Sequence, residues 1–142
     1  MSPGRPDAAL VRRHLLALQG AINNLRRHAG RPLAALTQDV DEAWAVEHGL
    51  QVCAQNALDV ATHLAAAAGH DCPDYAAAID ALATLGVLPA DFAARLRPIA
   101  GFRNLLVHGY LEVDLARLHD ILNRRLDDLE EFIRLVEAHL GA

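Results

Sequence analysis

The chain has 142 residues, 53% of them hydrophobic but only 4% aromatic, and a formal charge of −5. That length suits one domain with a sizeable core and no need of disulfide or metal staples, and the abundance of Leu and Ala favours helices over sheets. The negative balance excludes strong long-range steering toward nucleic acid, so any contact with RNA must rest on a local cluster of cations.

The opening residues, MSPGRPD, hold no apolar run of the kind a secretory signal needs. A first helix is predicted from Asp7 to about His28. Asp7 is placed to cap it, and Val11, Leu15, Leu18, Ile22 and Leu25 form one stripe at helical spacing. Gly30 and Pro32 stop it. Arg12-Arg13 and Arg26-Arg27, near its two ends, read as a solvated polar face, with contact to an RNA backbone as the alternative. All thirteen basic residues are arginine; arginine suits bidentate phosphate contact, and a preference for GC-rich codons explains the missing lysine more simply.

The second helix opens on Asp39-x-x-Glu42, a capping-box pattern, and ends at Gly69. At about 1.5 Å per residue it spans roughly 43 Å and serves as the spine of a bundle. Its inward stripe is read as Val40, Trp44, Leu50 beside Ala54, Leu58, Ala61 and Leu64. The most apolar run, from Ala57 to Ala68, is interrupted by Asp59 and His63 and is too short to cross a bilayer, so no membrane partner is expected. His63, His70 and Cys72 lack a second ligand pair of recognised spacing, which favours ordinary structural roles over a metal. Cys53 and Cys72 form neither a disulfide scaffold nor a CxxC site, and a reducing cytoplasm fits them best.

A loop with Pro73 leads to a short helix over about Asp74 to Leu85, ended by Gly86. Another starts at Pro89 and turns Phe92 and Leu96 inward. Pro98 breaks it, because the ring removes a donor and clashes with the carbonyl four residues back. The following helix therefore starts afresh near Pro98. Asp114 is the N-cap of a last helix reaching about Leu140, whose Leu115, Leu118, Ile121, Leu122, Leu126, Leu129, Phe132, Ile133, Val136 and Leu140 fill a broad apolar arc. Arg125 alone intrudes on that arc, to pair with a core carboxylate, to snorkel out, or to face a groove. The fold class expected is all-α, an up-and-down bundle of four to five helices forming one domain over residues 1–142.

Gly101 to Tyr110 is the stretch that carries chemistry. At about 100° per residue, Arg103 projects onto the same side as Ile99, Phe102, Leu106 and Val107. A guanidinium on an apolar face is rare unless paired or functional, because removing its water costs several kcal/mol. His108 falls where the helix should stop, since Gly109 suits a left-handed position just beyond a helix end. There an imidazolium is favoured by the negative end of the helix dipole. The plain alternative is an Arg in a core ion pair and a His closing a helix.

The string FRNLLVHGY, with Arg103-x4-His108-x-Tyr110 and the following Val113-Asp114, resembles the signature of HepT-like toxins. Ala61-Thr62-His63-Leu64 in the preceding long helix adds to the likeness, which extends over roughly Asp39 to Val136. Proteins of that family are all-helical HEPN-domain endoribonucleases that need no metal. The resemblance implies that Arg103 and His108 are catalytic, that Asn104 is the supporting polar residue after the Arg, and that no cofactor is required. It further implies a homodimer with a composite site acting on RNA, and an antitoxin of the minimal nucleotidyltransferase type that silences the toxin by transferring AMP to Tyr110.

Metal-free RNA cleavage needs a base for the 2′-OH proton, an acid for the leaving 5′-oxygen and positive charge on the phosphorane. Histidine serves either proton role and arginine clamps phosphate oxygens. Residues five apart on one helix diverge by about 140°. Either the helix ends before His108, or a second chain completes the pair across a two-fold axis. The rival reading is a non-catalytic helical module that binds a nucleotide or a nucleotidyltransferase; a further rival is a purely structural bundle. No Gly-rich phosphate loop, HExxH or nucleophile elbow points to another enzyme.

Overall fold

The computed structural model of the chain describes residues 5–108 and 114–141, and for 105–108 the backbone alone. Among these residues it holds eight helices and no strand. α1 (Ala8–Arg26) starts where Asp7 accepts the Leu10 amide at 3.0 Å, and it buries Val11, Leu15, Leu18, Ile22 and Leu25 as the periodicity predicts. α2 (Ala34–Thr37) is a single turn that buries Leu36; four residues carry no periodic pattern from which to foresee it.

α3 (Val40–Ala67) is the spine and runs antiparallel to α1. Three contacts fix the direction. Leu25 lies against Gly49, His14 Nδ1 meets Asn56 Oδ1 at 2.9 Å, and the Asp7 amide donates to His63 Nε2 at 3.0 Å. The capping box at its start is half made. Asp39 accepts the Asp41 and Glu42 amides, but the Glu42 carboxylate turns away to His28 at 2.6 Å and Arg31 at 3.1 Å. It thereby ties the start of α3 to the end of α1.

The inward stripe of α3 needs one correction. Ala43, Val46, Leu50, Cys53, Ala57, Leu58, Ala61 and Leu64 are buried, whereas Val40 is 66% and Trp44 69% exposed. Stepping back from Leu50 by helical turns reaches Val46 and Ala43. Trp44, six residues away, is rotated by about 120° from that line. Hydrophobicity drew Trp44 inward in the sequence reading; helical phase keeps it out.

α4 (Tyr75–Thr84) is capped by Asp74, which accepts the Ala77 amide at 2.8 Å, and it is closed by Gly86 at φ +78. α5 (Ala90–Leu96) follows Pro89 and buries Phe92 and Leu96. Pro98 separates it from α6 (Ile99–His108) as expected. The last helix is two: α7 (Leu115–Arg124), capped by Asp114, and α8 (Leu126–Gly141). The break falls at Arg125, the residue that interrupts the apolar arc. There Arg125 pairs at 3.4 Å with Asp128, its side chain half exposed, while Leu122 and Leu126 on either side stay buried. α8 runs along α1, joined by Arg12 to Glu137 at 3.4 Å and by Arg26 to Asp127 at 2.9 Å and to Glu130. So Arg12 and Arg26 meet carboxylates on a half-exposed surface, where such pairs contribute about 0–1 kcal/mol each. No helix among the described residues is long and apolar enough to cross a membrane.

The α1–α3 contact gives a paired stability prediction. A Cβ on Gly49 would stand 2.6 Å from Leu25 Cδ2 and 2.9 Å from its Cγ, and Leu25 is fully enclosed. Gly49→Ala should overpack the contact at a cost of about 1–3 kcal/mol, only partly offset by a gain of about 1 kcal/mol in helix propensity. Gly20, also in a helix, has nothing within 4 Å of such a Cβ. Gly20→Ala should therefore stabilise by about 0.5–1 kcal/mol. Urea midpoints of the two variants moving in opposite directions is the expected result.

Candidate active site

α6 buries Ala100 and Phe102 and carries Arg103 between them on its inward side. The guanidinium is half-buried, and its environment is specific. Nε donates to Gln55 Oε1 of α3 at 2.9 Å, one Nη reaches Asn104 Oδ1 at 3.4 Å, and the carbon between them lies 5.3 Å from the centre of the Tyr75 ring. Gln55 is held in turn. Its Nε2 donates to Asp59 Oδ1 at 2.7 Å and comes within 3.5 Å of the Tyr75 hydroxyl. Among the described residues no carboxylate lies within ion-pair distance of Arg103. The core ion pair weighed from the sequence is thus replaced by a neutral amide and an aromatic face. These satisfy Nε and support the plane of the cation without cancelling its charge.

Beside the guanidinium lies a groove of about 510 Å³ between the start of α4 and α6, walled by Tyr75, Ala76, Ala100, Gly101 and Asn104 with Thr62 behind. Two of the residues that touch Arg103, Tyr75 and Asn104, also line this groove. Arg103 and its neighbour Asn104 thus both lie on α6 beside this groove. α6 extends through His108; the His108 side chain and Tyr110 lie outside the described residues. His63 is not in the site: its Nε2 accepts the Asp7 amide and secures the start of α1. Arg125 is elsewhere too, at the mouth of a separate cavity with Arg95 and Arg117. Cys53 lines the floor of that cavity, and burial pushes its thiol up to about 12, which keeps it protonated and unreactive at neutral pH.

Sequence reasoning did not find Gln55 or Tyr75. The available signal was Gln55 and Asp59, two polar residues one helical turn apart between Ala54 and Ala61. Tyr75 follows a capping Asp on another helix, and nothing local shows that α4 delivers it to α6.

Comparison with known proteins bears on the family and the fold. The model of the Ribonuclease HepT-like family matches residues 18–136. The mRNA nuclease HepT of Shewanella oneidensis is 27% identical over 90 residues, which covers 63% of this chain and 68% of that protein. A tri-AMPylated HEPN toxin of Shewanella oneidensis, solved in complex with its MNT antitoxin, shares the fold with a TM-score of 0.79 at 22% identity, over 90% of this chain and 96% of that one. YutE, a cytosolic protein of unknown function from Bacillus subtilis, does so with a TM-score of 0.83 at 16% identity, over 96% and 92%. Likeness at such identities speaks for the fold, while the family match spans most of the sequence. With a family match over residues 18–136 and helices throughout the described residues, the chain belongs to the HepT-like ribonuclease family.

Proposed function

We propose that the chain is a metal-independent endoribonuclease toxin, a single helical domain over residues 1–142 that acts in the cytoplasm and is controlled by a minimal nucleotidyltransferase antitoxin. The observation that carries this reading is the state of Arg103: half-buried, stacked on Tyr75, bound to neutral Gln55 and without a carboxylate among the described residues. A cation so placed keeps its full charge and presents its remaining N–H groups to an incoming anion. A phosphodiester matches that planar fork.

His108 supplies the proton chemistry, since an imidazole titrates near neutrality. One imidazole takes the 2′-OH proton as O2′ bonds to phosphorus. A second protonates the 5′-oxygen as the P–O5′ bond breaks, leaving a cyclic phosphate. Arg103 stabilises the charge on the phosphorane, and Asn104 holds one Nη of the guanidinium. The kinship with a protein named an mRNA nuclease supports RNA as the substrate. The test is a fluorescent RNA oligomer incubated with the purified chain, with and without EDTA. Equal cleavage in both is the expected outcome. Cleavage lost with EDTA overturns metal independence, and no cleavage in either favours a non-catalytic nucleotidyltransferase-binding module.

We further infer a homodimer. The backbone of α6 is helical from Ile99 through His108, and positions five apart on one helix diverge by about 140°. A two-fold copy offers the second imidazole and lets Arg103 of one chain work with His108 of the other. Mixing Arg103→Ala chains with His108→Ala chains should then give an activity unlike either parent. An active monomer by light scattering would remove the dimer.

The antitoxin is inferred to act through Tyr110. The phenol oxygen attacks the α-phosphorus of ATP, loses its proton and releases pyrophosphate, leaving AMP two residues past His108. The new phosphate competes for Arg103, and the purine occupies space that the RNA backbone needs. AMP addition to the toxin of the Shewanella complex supports this. With a cognate nucleotidyltransferase and ATP, intact mass should rise by one or more AMP units and cleavage should stop. Tyr110→Phe should block both changes, and full activity after modification would sink the mechanism.

A further inference from the structure

We infer that the groove between the start of α4 and α6 is a nucleobase subsite, taking the base of the RNA nucleotide whose phosphate Arg103 holds; the inference rests on the ribonuclease reading above. Its volume of about 510 Å³ lies within the roughly 300–1,000 Å³ of small-molecule sites. The distribution of charge sets the order of the parts. Arg103 stands at one edge, in contact with Tyr75 and Asn104. Among the described residues no cation lines the groove itself: Tyr75, Ala76, Ala100 and Gly101 form its walls, with Cys72 and Pro73 at the α4 end and Thr62 and Asn104 as polar groups. Its carboxylate, Asp74, is engaged by the Ala77 amide at 2.8 Å. A phosphate is therefore drawn to the edge, and a flat uncharged group with a polar rim fits inside.

Two features hold the arrangement in place. Gln55 fixes Nε from behind, itself braced by Asp59, so the guanidinium stays at the groove mouth rather than swinging into solvent. Glycine at 101 leaves the α6 wall open, with no atom within 4 Å of where a Cβ would be. Single-stranded RNA is generally read in this way, by unstacked bases placed in pockets while cations hold the backbone.

The test uses a fluorescent 2′-O-methyl RNA pentamer, which cannot be cleaved, and five versions each lacking one base. Binding is followed by anisotropy at low salt, with cleavage of the unmodified pentamer measured in parallel. In the wild-type protein one abasic position should weaken binding about tenfold and the others little. Gly101→Leu, whose side chain enters the groove, should close most of that gap, while Arg103→Ala should weaken all six oligomers alike. Equal affinity of the wild type for all six, or an undiminished gap in Gly101→Leu, overturns the subsite while leaving the ribonuclease reading intact if the unmodified pentamer is cut. A wild-type protein that neither binds nor cleaves any oligomer overturns both.

Discussion

His108→Ala should lower the rate of RNA cleavage by on the order of 10²–10⁴, the range for removal of a general acid–base group, equivalent to about 3–5 kcal/mol of barrier. The loss should appear in kcat under single-turnover conditions, because imidazole moves protons and adds little to ground-state binding. Arg103→Lys is the companion variant. It keeps a positive charge but loses the planar fork that Gln55 and Tyr75 hold. Lysine should therefore rescue little of what Arg103→Ala loses. Helical circular dichroism of each variant should match the wild type, since Ala100 and Phe102 anchor α6 in the core. A folded His108→Ala protein that cuts RNA at the wild-type rate would remove the histidine from the mechanism.

Phe132→Ala should cost about 3–5 kcal/mol of stability, the largest single loss expected in the core. Phe132 lies in α8 with no exposed surface and is the largest of the fully buried side chains. Truncation removes the ring from a cluster to which α1, α3, α7 and α8 all contribute, and these helices are too mutually braced to collapse around the void. A domain of this size has a total stability of about 5–15 kcal/mol, so the variant should sit near the edge of folding at 37 °C. Trp44→Ala is the matching control. Although Trp is the larger side chain, it is 69% exposed here, and its loss should change stability by less than about 0.5 kcal/mol. Urea midpoints settle the contrast. A Trp44 variant as unstable as Phe132→Ala would restore the inward reading of that residue.

Local signals marked the helix boundaries well because the atoms that create them are local. Asp7, Asp39, Asp74 and Asp114 each accept an amide two or three residues on, which requires only a short carboxylate at the right place in the chain. Pro98 and Gly86 act through their own backbones in the same way. The stripe of α1 was legible because its five buried positions recur at every turn, leaving Leu16 alone outside as an exposed large apolar residue. On α3 the competitor was Trp44, and hydrophobicity outweighed phase. The division between α7 and α8 was marked by Arg125, yet the arc by itself is equally consistent with one long helix carrying one misplaced cation.

The site divides along the same physical line. Arg103, Asn104 and His108 belong to one continuous run of α6 and could be named from the sequence, because residue type, helical angle and spacing are properties of the chain itself. What surrounds Arg103 could not. Gln55 is 48 residues away on α3 and Tyr75 stands at the start of α4, and both reach the guanidinium only because α3, α4 and α6 pack together. The sequence alone determined that a cation sits on an apolar helix face and must have a reason to be there. Only the tertiary structure decided that its partners are a neutral amide and an aromatic ring. Which groups share a volume depends on how distant helices pack, and no local rule of the chain contains that information.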